Sequence, residues 1–216
     1  MNNSTLSGKK ILVAVTGSIA AVKAPILVSR LIKAGVEVRC VITQSAAKLV
    51  SPLSLSTLSR NKCYQDKDQW DDSQTKPLHI ALAEWAELII VAPMSATSLS
   101  KFTSGNADGL LASILLAAQS QIVIAPAMNT SMWSNQSVKK NWNHTKTNDQ
   151  IISLEPSEGL LACDRFGDGK MVNLDIIELA SESAFIFHEK NKFLTKDLKG
   201  IRFLVSAGPT VEDLDA

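Results

Sequence analysis

The stretch Ile11 to Thr16 (ILVAVT) is an apolar run of strand type that passes directly into Gly17-Ser18 and then into a helical pattern lasting to Ala34. Gly35 stands where a helix C-cap glycine belongs, and Val36 to Thr43 (VEVRCVIT) reads as a second strand. Two strands joined through one helix run parallel, because the helix returns the chain to the edge from which it started. Parallel sheets are covered by helices on both faces, so this opening commits the chain to the α/β class. We expect a Rossmann-like (flavodoxin-like) parallel sheet, with Pro25 kinking the first helix.

The same alternation continues. Helical stretches lie around Ser45 to Ser59, an irregular polar segment runs from Asn61 to Lys76, and a short helix covers His79 to Ala86 before strand Leu88 to Ala92. Ile122 to Ala125 leads into Pro126-Ala127-Met128-Asn129, and Ile151 to Leu154 leads into a glycine-bearing loop from Glu158 to Lys170. Leu174 to Lys192 reads as an amphipathic terminal helix. A chain of 216 residues that is 45% apolar suffices for one such domain, which we place at 1–190. Residues 191–216 read as a polar linker followed by the strand and glycine turn that open a second domain, left truncated.

Charge and cysteine usage exclude several classes. With 22 basic against 21 acidic residues, the formal charge of +1 draws the chain toward neither nucleic acid nor an anionic membrane. The three cysteines, Cys40, Cys63 and Cys163, form no C-x-x-C pair, which argues against a disulfide framework and a zinc cage. No segment reaches the ~20 apolar residues of a membrane span, and the first residues lack the apolar core of a signal peptide. The expectation is a soluble, cytoplasmic protein that binds no metal.

Ligands of open α/β sheets bind beyond the carboxyl ends of the strands, which directs attention to the residues after Thr16, Thr43, Ala92 and Ala125. Thr16-Gly17-Ser18-Ile19 puts a glycine and a hydroxyl at a helix start, where free N–H groups favour phosphate. The turn has neither G-x-G-x-x-G nor a P-loop, so a mononucleotide such as FMN fits it better, and Ser18 reads equally well as an N-cap. The small, hydroxylated run Ser95-Ala96-Thr97-Ser98 suits either close approach to a planar cofactor or an ordinary helix start. Asn129, beside Met128, is a carboxylate or amide ligand or another N-cap. Cys163 lies among glycines and charges and reads as an exposed thiol. Of the three histidines, His144 and His188 sit in polar surface stretches, which leaves His79 as the candidate acid/base group.

In chain order, Gly17-Ser18-Ile19-Ala20-Ala21-x-Lys23, His79-Ile80-x-Leu82, Ala92-Pro93-Met94-Ser95-Ala96, Gly105-x-Ala107-Asp108, Pro126-Ala127-Met128-Asn129 and Ala162-Cys163 with Gly167-x-Gly169 resemble the homo-oligomeric flavin-containing cysteine decarboxylases, across roughly residues 8 to 185. The resemblance implies FMN held by Gly17, Ser18, Ile19, Thr43, Ser45, Ser95, Ala96, Thr97, Ser98 and Ala127, and a substrate carboxylate gripped by Asn129 and Met128. It implies His79 as the acid/base residue of the early steps and Cys163 as the proton donor of the final, reductive one. The implied reaction is oxidative decarboxylation of 4'-phosphopantothenoylcysteine to 4'-phosphopantetheine in coenzyme A biosynthesis, carried out by a homotrimer or a dodecamer. The family's Ser-Ala-Asn-Thr, Ala-Cys-Gly and Gly-Arg-Met are here Ser95-Ala96-Thr97-Ser98, Ala162-Cys163-Asp164 and Gly169-Lys170-Met171. Ser206-Ala207-Gly208-Pro209-Thr210 resembles the start of the phosphopantothenate–cysteine ligase half of bifunctional bacterial enzymes, and ligation is not expected of this chain. Two other readings are another flavin-dependent member of the same fold, such as a peptidyl-cysteine decarboxylase or a flavin prenyltransferase-like protein, and a non-catalytic flavin-binding regulatory subunit.

Overall fold

A computed structural model describes residues 5–70, 75–160 and 166–191, with side chains to residue 186. Six parallel strands, β1 (Lys10–Val15), β2 (Glu37–Ile42), β3 (Cys63–Tyr64), β4 (Leu88–Met94), β5 (Gln121–Pro126) and β6 (Ile151–Ser153), form one sheet in the order β3-β2-β1-β4-β5-β6. Of the doubly wound orders this is the Rossmann one, with its switch point between β1 and β4. The register there pairs Ile11 with Leu88 and Ala14 with Val91, which brings the exits of the two strands side by side.

Successive side chains of a strand point to opposite faces, and β1 uses both. Ile11, Val13 and Val15 pack with Leu27 and Leu31 of α1 (Ala24–Lys33), Leu55 of α2 (Pro52–Ser59) and Ile177 of α8 (Leu174–Asn191). Leu12 and Ala14 belong to the opposite core with Leu82 of α3 (Leu78–Trp85), Leu99 of α4 (Ala96–Thr103), Ile114 of α5 (Leu110–Ala117) and Trp142 of α7 (Gln136–Thr145). Each fully buried aliphatic side chain contributes about 1.5–3 kcal/mol relative to exposure, so a frame sealed on both faces holds the loops at its carboxyl end.

Four local features differ from the sequence reading. Pro25 does not kink a helix: Ile19–Lys23 is a 3-10 turn, and Pro25 stands in the first turn of α1, where its missing N–H has no intrahelical partner to lose. The segment expected to be irregular contains β3 and a 3-10 turn at Asp66–Trp70. The loop expected from Glu158 to Lys170 contains an antiparallel pair, β7 (Ser157–Leu160) and β8 (Phe166–Lys170). A short helix, α6 (Thr130–Trp133), follows β5 directly. The expectations for Cys163 and for the second domain fall outside the described residues. Among those described, no helix is long and apolar enough to cross a membrane, and no group of three or more His, Cys, Asp or Glu is placed to hold a metal.

Candidate functional site

The site begins where β1 and β4 end. Thr16 is fully buried; its Oγ1 donates to the Pro93 carbonyl at 2.8 Å and accepts from the Ser95 N–H at 2.7 Å. One hydroxyl thus fixes both exits. Gly17 follows, and a Cβ on it would lie 2.6 Å from Ser45 Cβ, so only glycine lets the turn after β1 lie against the segment after β2. Ser18 is extended (φ −131°, ψ 151°) ahead of the 3-10 turn and its side chain makes no capping bond. The N-cap alternative for Ser18 is therefore not realised. Ser95 does cap a helix: its Oγ accepts from the Ser98 N–H at 3.3 Å and donates to Ser98 Oγ at 3.2 Å.

Two clefts open here and share Gly17, Ser95 and Thr97 as a common wall. The larger, about 640 Å³, is lined on that side by hydroxyls of Thr43, Ser45 and Ser98, and on the other by the 3-10 turn at Asp66 to Trp70. Asp66 Oδ1 accepts from the Leu110 N–H at 2.8 Å, which pins that turn to the start of α5. Lys101 pairs with Asp108 at 2.7 Å, and its ammonium holds the Asp108 carboxyl below the usual range. The smaller cleft, about 480 Å³, is walled by Ile19, Ala20, Ala96, Ala127 and Met128 and reaches Asn129. A hydroxyl-lined chamber joined to an apolar one matches the two ends of a flavin mononucleotide: donors for ribityl and phosphate, and small apolar residues that permit close approach to a flat ring.

Asn129 is a cap: its Oδ1 accepts from the Ser131 N–H at 2.8 Å at the start of α6, and the residue also lines the smaller cleft. The far end of α6 is anchored by Trp133, which meets Trp142 edge-on at 5.3 Å and lies 4.0 Å beneath the Lys139 ammonium. The β7–β8 pair rests on the turn that holds Asn129. Gly169 O accepts from the Met128 N–H at 2.9 Å, and Asp168 O accepts from Thr130 Oγ1 at 2.7 Å. A Cβ on Gly169 (φ +117°) would lie 2.3 Å from Met128 O, and one on Gly167 would lie 2.8 Å from Thr130 Oγ1. These glycines give β8 its contact with the Met128–Thr130 turn at the end of the smaller cleft.

The residues expected to hold FMN, Gly17, Ser18, Ile19, Thr43, Ser45, Ser95 to Ser98 and Ala127, all line one cleft or the other, and Met128 with Asn129 lies in the smaller. His79 does not join them. It stands half-buried in the first turn of α3, lines neither cleft, and keeps Nδ1 buried without a hydrogen-bond partner among the described residues. Cys40 and Cys63 are register partners on β2 and β3; burial pushes both thiols up, Cys63 to about 12, which keeps them protonated and ill suited to thiolate chemistry. Sequence reasoning missed Thr16, Thr130 and Trp133 as supports. The pattern Asn129-x-x-x-Trp133 after a strand exit was the one available signal, an N-cap followed four residues later by an anchor.

The chain matches the flavoprotein family over residues 1–205. It is 38% identical over 211 residues to the coenzyme A biosynthesis bifunctional protein CoaBC of Bacillus subtilis, covering 97% of this chain and 50% of that one. It is 34% identical over 213 residues to the protein of the same name from Escherichia coli, covering 98% and 50%. The chain thus spans about half the length of these curated relatives. Among solved structures, a mutant PPC decarboxylase complexed with pantothenoylaminoethenethiol is similar at a TM-score of 0.75 and 31% identity, over 84% of this chain and 98% of that one. The FMN binding protein AtHal3 follows at 0.73 and 32%, over 84% and 97%.

Proposed function

The chain belongs to the flavoprotein family, and we propose on that footing that it decarboxylates 4'-phosphopantothenoylcysteine to 4'-phosphopantetheine with FMN, a step of coenzyme A biosynthesis. The observation that supports this best is the pair of joined clefts at the β1/β4 switch point, one hydroxyl-lined and one apolar, with Met128 and Asn129 at the end of the apolar one. FMN supplies the two-electron chemistry that makes the carboxylate beside the thiol-bearing carbon able to leave as CO2.

The chain's own residues bind and orient. Thr43, Ser45 and Ser98 offer hydroxyls to the ribityl and phosphate groups, while Ile19, Ala96 and Ala127 exclude water from the ring. Asn129 and Met128 hold the substrate carboxylate; both are fixed before substrate arrives, Asn129 by its capping bond and Met128 by Gly169. His79 moves the proton of the early steps, and Cys163 gives the proton of the last one.

Because His79 lines neither cleft of its own chain, we assign it to the cleft of a neighbouring copy in a homo-oligomer. Ile19, Val22 and Ile26, each more than half exposed beside the smaller cleft, supply an apolar stripe for that contact. A trimer, alone or assembled into a dodecamer, is the proposed state, and the cytoplasm the proposed location. Sedimentation of the flavin-loaded protein tests the state, with a monomer as the contrary result.

The function is tested by purifying the chain, recording its visible spectrum and supplying 4'-phosphopantothenoylcysteine. Flavin absorbance, CO2 release and phosphopantetheine are expected. With Cys163→Ser, CO2 still forms while the product stops at the oxidised enethiol. A colourless protein that refuses added FMN would overturn the reading, and an FMN-loaded protein without turnover would make it a regulatory subunit.

A further inference from the structure

Among the described residues, Lys23 and Lys170 line the smaller cleft, and no aspartate or glutamate does. Among the described residues neither ammonium has a hydrogen bond or an ion pair, in contrast to Lys101 of the larger cleft, which Asp108 neutralises. Both lysines are half-buried, so each has given up part of its hydration without an anion in return.

The two cations come from different walls. Lys23 ends the 3-10 turn that follows β1, and Lys170 ends β8. Lys170 is held in place: the carbonyl before it, Gly169 O, accepts from Met128, and its own carbonyl accepts from Ser157 Oγ at 3.4 Å. Its stem runs along Gly159, where an added Cβ would come within 2.9 Å of Cδ and 3.0 Å of Nζ. Two ammoniums facing one apolar chamber repel each other and raise the local concentration of anions, and a doubly charged anion relieves both effects at once.

We propose that Lys23 and Lys170 form a two-cation receptor for an oxyanion of the substrate, its phosphate monoester, in the smaller cleft. Lysine suits this as a compact point charge on a flexible stem, and charge-assisted hydrogen bonds to phosphate are the strong ones. The inference rests on the decarboxylase reading, whose substrate carries both a phosphate and a carboxylate. The two cations match the dianionic phosphate better than the singly charged carboxylate. The phosphate of FMN falls instead to the hydroxyls of the larger cleft.

The test uses the FMN-loaded protein with Lys23→Met, Lys170→Met and both together, since methionine keeps an apolar stem. Calorimetric affinities for 4'-phosphopantetheine and pantetheine are compared, with FMN per chain and kcat/KM for pantothenoylcysteine with and without its phosphate. The unsubstituted protein should prefer the phosphorylated ligand. Each single substitution should cut that preference by about tenfold, the double substitution should abolish it, and Lys170→Arg should restore most of it. If the substitutions raise the KM of unphosphorylated pantothenoylcysteine by a similar factor while leaving the phosphopantetheine preference intact, the carboxylate is the oxyanion bound, and the phosphate assignment is overturned. Unchanged affinities overturn it, as does loss of FMN with ligand preference intact, which would give the lysines to the flavin phosphate. Lysine-dependent preference without CO2 release would sink the decarboxylase reading and leave the receptor standing.

Discussion

Thr16 Oγ1 accepts the Ser95 N–H at 2.7 Å while donating to the Pro93 carbonyl, so the two strand exits that flank the switch point share one buried hydroxyl. Gly17 and Ser95, on either side of that bond, belong to the wall common to both clefts. Valine at this position keeps the shape and removes both bonds, leaving a buried carbonyl and N–H unsatisfied. Thr16→Val should therefore lower stability by about 1–3 kcal/mol and weaken FMN binding, whereas Thr16→Ser should recover both. Urea midpoints and FMN titrations of the two variants check this, and a Thr16→Val protein that binds FMN normally would contradict it.

Gly169 and Gly105 both have positive φ, +117° and +68°, but only the first is crowded: its added Cβ would lie 2.3 Å from Met128 O, while nothing lies within 4 Å of the second. Gly105→Ala should cost only the backbone strain of about 1 kcal/mol and keep its turnover. Gly169→Ala must push β8 off the Met128–Thr130 turn, and decarboxylation should fall more than tenfold with FMN still bound. Equal turnover in the two variants would show that contact with β8 is dispensable.

How much of this was legible follows from what each residue's signal depends on. The β1-turn-α1 opening and the strand exits that line the two clefts were readable because apolar runs and glycine turns are local patterns. β3 was not, since two residues, Cys63 and Tyr64, cannot show a period and pair only because β2 offers an edge. The β7–β8 pair was hidden by glycines that serve contact with α6 rather than strand propensity. Pro25 misled because a 3-10 turn precedes α1 and leaves it a first turn to occupy. Thr16 depends on relations across 77 or more residues, and no local pattern carries those.

Cys40 and Cys63 give the fold an alkaline weakness. Burial raises the Cys63 thiol from 9.0 to about 12 and pushes Cys40 up as well, so both stay protonated in the folded chain after the unfolded chain has begun to ionise. The unfolded state then holds fewer protons, and stability falls as pH rises. The contribution is full below about pH 9 and is lost between 9 and about 12, at up to ~1.4 kcal/mol per pH unit for each thiol. Urea midpoints should drop from pH 8 to pH 10, and drop less in Cys63→Ala. An identical drop in that variant would remove the thiol from the explanation.

The separation of His79 from Met128 and Asn129 leads to a test by mixing. His79→Asn and Asn129→Ser should each abolish turnover alone, the second keeping a capping hydroxyl at the start of α6. If His79 acted within its own chain, every cleft in a mixed oligomer would lack one of the two residues, and no activity could return. If it serves the next copy around a closed ring, a cleft formed by an intact Asn129 from one variant and an intact His79 from the other is complete. Random assembly of equal amounts then yields about a quarter of the clefts in working order. Recovered CO2 release near that fraction, seen after dissociation and reassembly of the mixture but not in either variant treated alone, is the expected result, and a mixture that stays inactive although sedimentation shows the chains exchanged would return His79 to its own subunit.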